Sequence, residues 1–152
     1  MKKFALLILL AVSFITIADD NISMIEKLSE YFHTDGKQYE SFFYAIQDAI
    51  QSENKKALAK LNLYPIRVNF NEGTVYYNDE NDFIENYDKI VIEDMKARVK
   101  AQKFSELFYN YAGLHIGYGD IWFSEICGDS ENSDCKSIGL FIYAYNVNHV
   151  KE

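Results

Sequence analysis

The residues closest to known chemistry lie in the C-terminal half of the chain, and two cysteines come first. Cys127 and Cys135 are the only cysteines in the sequence. In an oxidising compartment two thiols so close in sequence normally pair, which predicts a disulfide-closed loop that stabilises the fold by about 2 to 3 kcal/mol. The segment between them carries three acids, Asp129, Glu131 and Asp134. We interpret these acids as partner-binding candidates.

A histidine and an aspartate form a candidate acid–base pair. His115 and Asp120 lie close in sequence, and such a pair can transfer protons in a pocket. On an ideal strand, residues five positions apart face opposite sides, so their cooperation requires a bulge at Gly117 or Gly119. Together with Tyr118, which lies between them, they are the pocket candidates. The alternative is structural: a half-buried strand histidine and a turn residue that follows a glycine.

The sequence contains no recognised catalytic or metal-binding signature. It has no Gly-x-Ser-x-Gly motif, Walker loop, dinucleotide fingerprint or His-Glu-x-x-His motif. The two thiols and the three histidines, His33, His115 and His149, have no standard metal-ligand spacing. The sequence therefore predicts no catalytic residue, no metal and no cofactor, and it leaves open whether the protein is an enzyme.

Aromatic side chains are the largest remaining group, and they make up 16% of the chain. Tyrosine and tryptophan combine a broad apolar area with a hydrogen-bonding group, which suits protein interfaces. The last predicted strand has apolar residues on both faces, and strict alternation puts Phe141, Tyr143 and Tyr145 on one of them. Either the fold covers both faces, or the aromatic face meets a partner. With Trp122, these three aromatic residues complete the partner-binding candidates.

The spacing of apolar residues predicts an α+β fold, in which N-terminal helices precede a β-rich C-terminal half. Helical spacing covers Asn21–Phe32, Tyr39–Leu61 and Asn78–Lys103, the last of which continues either as a second helix or as an edge strand. Strand-like patterns cover Ile66–Phe70, Thr74–Tyr77, Phe104–Ile116, Ile121–Cys127 and Lys136–Val147. No repeat or linker interrupts residues 19–152, which predicts a single domain.

The first eighteen residues predict a secretory signal. A basic start is followed by an uncharged apolar run from Phe4 to Ile17, and the small residues Thr16 and Ala18 precede a predicted cut. As a helix, the run would span roughly 21 Å, short of a hydrocarbon core of about 30 Å. We therefore expect cleavage after residue 18 and a periplasmic or secreted domain. The alternative is a buried N-terminal helix.

The charge of the chain bears on its partners. Residues 1–18 contain two lysines and no acid, so the cleaved chain has 13 basic side chains against 23 acidic ones, a formal charge of −10. Such a field repels phosphate backbones and anionic headgroups, which argues against nucleic acid and membrane insertion and favours a basic protein partner. The alternative is that the acidity only serves solubility.

The order of the predicted elements resembles the cone-shaped nuclear-transport-factor-2-like (cystatin-like) fold. Three segments carry the likeness to exported proteins of that fold: Phe43–Pro65 resembles the helical lead-in, Asp82–Asp88 the second helix, and Gly117–Phe123 the glycine-turn strand. The resemblance implies N-terminal helices packed on a curved antiparallel sheet. It also implies a pocket between helices and sheet, where enzymes of the fold use a paired histidine and aspartate. A weaker likeness joins the acidic Cys127–Cys135 loop to periplasmic lysozyme inhibitors, although this loop lacks their lysine-proline-histidine core.

Taken together, these patterns predict a non-catalytic periplasmic or secreted binding module, of an inhibitor or immunity type, that acts on a protein partner. One alternative is a small-molecule pocket protein, or an enzyme of the resembled fold that uses His115 and Asp120. Another is a homodimer formed through the aromatic face of the last strand.

Overall fold

The computed structural model describes residues 19–128 and 137–147. The predicted signal segment lies outside these ranges, and so do Cys135 and the three loop acids Asp129, Glu131 and Asp134. Among the residues described, no helix is long and apolar enough to cross a membrane. Helices are followed by a six-stranded sheet, which confirms the α+β prediction.

Three helices form the first part of the described chain. They are α1, which covers residues 19–31 within the described range, α2 (Gly36–Gln51) and α3 (Lys55–Ala59). The side chain of Asp35 caps α2 by accepting the backbone N–H of Lys37 at 2.8 Å. The first two helices approach closely at Gly36, where any Cβ would overlap the carbonyl oxygen of Ile25. Glycine is therefore required at this contact.

A hairpin of β1 (Asn62–Phe70) and β2 (Gly73–Tyr77) follows the first three helices. The next segment, for which helical spacing is predicted over Asn78–Lys103, contains three short helices. They are α4 (Glu80–Glu85), α5 (Tyr87–Ile90) and α6 (Glu93–Ala101), and a 3-10 turn (Phe104–Glu106) follows them. The second-helix alternative for the end of this stretch is confirmed by α6.

Four strands complete the sheet: β3 (Phe108–Asn110), β4 (Gly113–Ile116), β5 (Ile121–Cys127) and β6 (Ile138–Val147). The segment predicted as a single strand, Phe104–Ile116, is therefore a 3-10 turn and a tight hairpin. The strand order is β2-β1-β6-β5-β4-β3. All neighbouring strands are antiparallel except β1 and β6, which are parallel, so the sheet is mixed.

The hydrophobic core lies between the helices and one face of the sheet, which we call the inner face. Many strand residues on that face are completely buried, among them Ile66, Val68, Leu114, Ile116, Phe123 and Ile142. Large rings fill the space between them and the helices; those under 2% exposed are Tyr39, Phe43, Phe83, Tyr87, Phe104, Phe123 and Tyr145. We call the opposite side of the sheet the outer face.

A β-bulge in β6 interrupts the strict alternation predicted for this strand. Trp122 of β5 lies opposite Ala144, whereas the next residue, Phe123, lies opposite Ile142. Tyr143 is therefore an extra residue on β6. Because side chains alternate with a period of two, one extra residue exchanges the faces of everything beyond it.

Tyr145 is the residue that this bulge relocates. It is 0% exposed, its ring centroid lies 5.5 Å from that of Phe83, and its hydroxyl donates to Oδ1 of Asn62 at 2.8 Å. The prediction that Tyr145 shares a face with Phe141 and Tyr143 is wrong, because it assumed a regular strand. Tyr145 is a core residue and is not accessible to a partner.

A buried ion pair joins α6 to the turn between β4 and β5. Arg98 donates from Nε to Oδ2 of Asp120 at 2.7 Å and from Nη2 to Oδ1 at 2.8 Å. The Asp120 side chain is 5% exposed and that of Arg98 is 20% exposed. The turn backbone approaches the carboxylate so closely that a Cβ on Gly117, whose φ is +65°, would overlap it.

We expect the substitution Arg98→Met to lower the free energy of unfolding by about 3 kcal/mol, because it leaves the Asp120 carboxylate buried without a partner. Urea unfolding at neutral pH measures the change. The matched control is Lys103→Met in the pair Lys103–Glu106, whose side chains are 64% and 58% exposed; its unfolding midpoint should stay close to that of the unmodified protein. Equal effects of the two substitutions would contradict this role for Arg98.

Candidate functional site

One row of side chains crosses all six strands on the outer face of the sheet. Each member lies directly opposite the next in the strand register. From β2 to β3 the row consists of Tyr76, Arg67, Ala144, Trp122, His115 and Phe108. We call it the outer-face row. Its two aromatic ends are open, with Tyr76 57% and Phe108 50% exposed, and Arg67 is exposed as well.

The rings in one half of the row contact each other in sequence. His115 stacks on Phe108 with a centroid distance of 4.8 Å, and it lies 4.8 Å from Trp122 on its other side. Trp122 is in turn 6.4 Å from Tyr143, the bulge residue of β6. The Tyr143 hydroxyl donates to the carbonyl oxygen of Ala112 at 3.0 Å. These contacts restrain each ring, so the aromatic surface is held in place before any partner binds.

A polar chain of hydrogen bonds runs beside the outer-face row. Thr74 Oγ1 donates to Asn69 Oδ1 at 2.8 Å, and Asn69 Nδ2 donates to Asn146 Oδ1 at 2.7 Å. Asn146 Nδ2 then donates to the carbonyl oxygen of Gly119 at 2.5 Å. This chain links β2, β1, β6 and the β4–β5 turn. It supplies a polar border to the aromatic surface.

The described strands carry little charge on the outer face, and none of this charge is negative. Alternate residues from the row along each strand make up this face, and none of them is aspartate or glutamate. Arg67 is exposed and occupies the row between Tyr76 and Ala144. Burial raises the pKa of the nearby Tyr143, and the positive charge of Arg67 acts in the opposite direction. An acidic chain, with formal charge −8, therefore has one face that is aromatic and locally cationic.

His115 is half-buried in the middle of the aromatic contacts. Its Nδ1 atom is buried and has no hydrogen-bond partner. Burial lowers the pKa of His115 from its ordinary value of 6.5, while a hydrogen bond with the backbone of Gly117 and the charge of Asp120 oppose the shift in part. Burial therefore favours the neutral ring.

The structure does not assemble the predicted acid–base pair. Both carboxylate oxygens of Asp120 accept hydrogen bonds from Arg98, while the His115 ring lies between two aromatic rings on the outer face. Tyr118 is 89% exposed, and the Cζ atom of Arg98 lies 5.9 Å from its ring centroid. An open depression of about 210 Å³ is lined by Tyr118 and Arg98, among other residues, but by neither His115 nor Asp120. The three pocket candidates are close together, but they do not enclose a pocket.

Of the predicted partner-binding residues, Trp122, Phe141 and Tyr143 lie together on the outer face. The loop acids lie outside the described residues, so their role stays a prediction. Cys127 ends β5 and is not a free thiol, but its predicted pairing with Cys135 also involves a residue outside the described ranges.

The predicted partner-binding residues do not include three members of the row: Tyr76, Arg67 and Phe108. The first two belong to the predicted hairpin, where hairpin register pairs them, so the signal was present for one edge of the sheet. Phe108 is different, because only the pairing of β3 with β4 brings it onto His115. Two further tyrosines project from turns, Tyr111 at 91% and Tyr118 at 89% exposed.

A second carboxylate has a structural role on the inner face. Glu125 accepts the backbone N–H of Thr34 at 2.8 Å, the backbone N–H of His33 at 3.2 Å, and makes a 3.0 Å contact with His33 Nδ1. Burial acts to raise the pKa of Glu125, but these hydrogen bonds outweigh it and the pKa is lowered. Glu125 thereby fastens the connection between α1 and α2 to β5.

Neither a metal centre nor a relative defines the site further. In the described part of the chain, no three histidine, cysteine, aspartate or glutamate side chains are arranged to hold a metal ion. No family model matches the chain, and no curated protein or solved structure is significantly similar to it. Its class is thus that of an α+β domain with an aromatic sheet surface.

We expect His115 to make stability depend on pH. Because burial lowers its folded-state pKa below 6.5, the folded protein binds the proton less readily than the unfolded chain. Stability is therefore fully present above pH 6.5 and declines as the pH falls toward the folded-state pKa. Urea unfolding at about pH 7.5 and about pH 5.5 should show a larger loss for the unmodified protein than for His115→Gln. The same pH dependence in both proteins would contradict this assignment.

Proposed function

We propose that the protein is a non-catalytic binding module that acts in the periplasm or outside the cell and holds a protein partner against its outer-face row. The observation that carries this proposal is an aromatic row, open at both ends, that crosses the whole sheet and includes an exposed arginine. Tryptophan, tyrosine and arginine are the residue types that contribute most binding energy in protein interfaces. Exposed rings lie at the two ends of the row, at Tyr76 and Phe108, whereas Ala144 within it is 1% exposed and Trp122 and His115 are half-buried. Exposed apolar side chains grouped around a charged one mark interaction sites.

The rigidity of the surface supports the same proposal. The rings of Phe108, His115, Trp122 and Tyr143 are restrained by their mutual contacts and by the hydrogen bond to Ala112. A preformed surface loses less conformational entropy when it binds. The inner face of the sheet, by contrast, is covered by buried rings, and this favours a surface partner over a ligand held between helices and sheet.

An inhibitor or immunity-type role and the family resemblance are parts of this proposal. The order of helices, hairpin, further helices and four strands is the order on which the resemblance to the nuclear-transport-factor-2-like fold rests. An inhibitor or immunity protein acts by stable binding and needs no catalytic group. A rigid aromatic surface suits that task.

Capture of partners by two matched variants tests the proposal. The first variant, Tyr76→Ser with Phe108→Ser, removes both open ends of the outer-face row. The control, Ile22→Ser with Tyr44→Ser, removes side chains that are 53% and 46% exposed on the helical side. The oxidised proteins are immobilised and exposed to periplasmic extract and host fluids, and retained proteins are identified, purified and titrated calorimetrically.

We expect a retained protein whose affinity falls at least about tenfold with the row variant, since two interface contacts of about 1 kcal/mol each are removed. Its affinity for the helical-side control should be unchanged. Retention of the same proteins with the same affinity by all three chains would contradict the proposal. A dimer of the unmodified protein that dissociates in the row variant would instead assign the surface to self-association.

A further inference from the structure

We infer that the outer-face row selects a protein surface on which a carboxylate is surrounded by apolar side chains, and that Arg67 is the residue that binds this carboxylate. The inference rests on the proposed function and adds the chemistry of the partner. It departs from the basic partner that the overall charge favours, because the local charge of the outer face differs from the charge of the whole chain.

Arg67 is an uncompensated cation within the described residues. Four of the lysines and arginines there take part in ion pairs: Lys55, Lys96, Arg98 and Lys103. Exposed lysines of the helices, such as Lys37, take part in none between described residues, but Arg67 is the one lysine or arginine on the described strands of the outer face. Arg67 takes part in none of the ion pairs between described residues, and the strands of the outer face offer it no acid. A bound partner therefore gains by supplying the missing negative charge.

The surroundings of Arg67 suit a carboxylate. Its guanidinium presents a planar fork of N–H donors that matches two carboxylate oxygens. Tyr76 lies directly opposite it on β2, and the field of Arg67 reaches Tyr143 on the other side. Apolar rings that exclude water on binding strengthen such an ion pair by lowering the local dielectric constant.

Other occupants fit this surface less well. A lysine- or arginine-rich partner would meet Arg67 and find no carboxylate on the described strands of this face. A polyanion such as nucleic acid would find one arginine on the described strands of this face to neutralise its phosphates, and the whole chain has a formal charge of −8. A second copy of the chain that docks through the same face would bring together two outer faces and leave both arginines unpaired.

A displayed library of random peptides is the probe that tests this inference. It is selected on the unmodified protein, on Arg67→Glu, on the neutral variant Arg67→Gln, and on the row variant Tyr76→Ser with Phe108→Ser. The matched control is Lys37→Glu, which makes a charge reversal of the same size at an exposed position of α2. Far-ultraviolet circular dichroism checks that each variant is folded, and individual peptides are then titrated at low and high salt.

We expect peptides selected on the unmodified protein to contain aspartate or glutamate beside aromatic or aliphatic residues. Their affinity should fall about tenfold with Arg67→Gln and further with Arg67→Glu, and it should not change with Lys37→Glu. Selection on Arg67→Glu should enrich lysine and arginine instead.

The possible failures are distinguishable. Peptides whose affinity depends on Tyr76 and Phe108 but not on Arg67, or peptides rich in lysine and arginine on the unmodified protein, would overturn the carboxylate preference and leave the proposed function standing. Peptides whose affinity is unaffected by the row variant, or no enrichment at all, would overturn both. Binding to an immobilised uronic-acid polysaccharide without any peptide enrichment would show that the carboxylate belongs to a glycan and would also overturn the protein-partner inference.

Discussion

The core and the outer face both depend on the single extra residue that Tyr143 introduces into β6. This strand lies inside the sheet, parallel to β1 and antiparallel to β5, so its side chains decide what each face of the sheet contains. Before the bulge, Ile142 points into the core; beyond it, Tyr145 takes the same direction. A regular strand would have placed the Tyr145 hydroxyl on the surface, without its bond to Asn62. In a regular strand, Tyr143 would also not lie beside Trp122.

Charge is distributed so that the two sides of the molecule differ. The acidic residues of the described chain lie on helices, turns and the inner face, where several have defined partners: Asp120 is held by Arg98, and Glu125 by the backbone at His33 and Thr34. The described strands of the outer face have no acid. An approaching anion is therefore repelled at long range by a chain of formal charge −8. At short range the same anion is attracted by Arg67. The combination favours a partner with a localised negative charge over one that is negative throughout.

The position of His115 illustrates why residue type alone does not reveal chemistry. A histidine can transfer protons when it reaches a pocket and has a partner that orients it. Here the ring lies between Phe108 and Trp122, with a buried nitrogen that binds nothing, and the neighbouring Asp120 is neutralised by Arg98. The ring contributes to a surface of aromatic contacts, and the low pKa that burial imposes keeps it neutral there.

The sequence by itself determined the α+β class, the first hairpin, the glycine turns and the shared face of Phe141 and Tyr143, because these follow from local periodicity and backbone preference. Only the tertiary structure decided the burial of Tyr145, the pairing of Asp120 with Arg98 and the alignment of Tyr76, Arg67 and Phe108 across the sheet. The physical reason is that strand order and register bring together residues far apart in the chain. A β-bulge shifts that register by one residue at almost no cost in local pattern, and so it leaves no clear trace in the spacing of apolar residues.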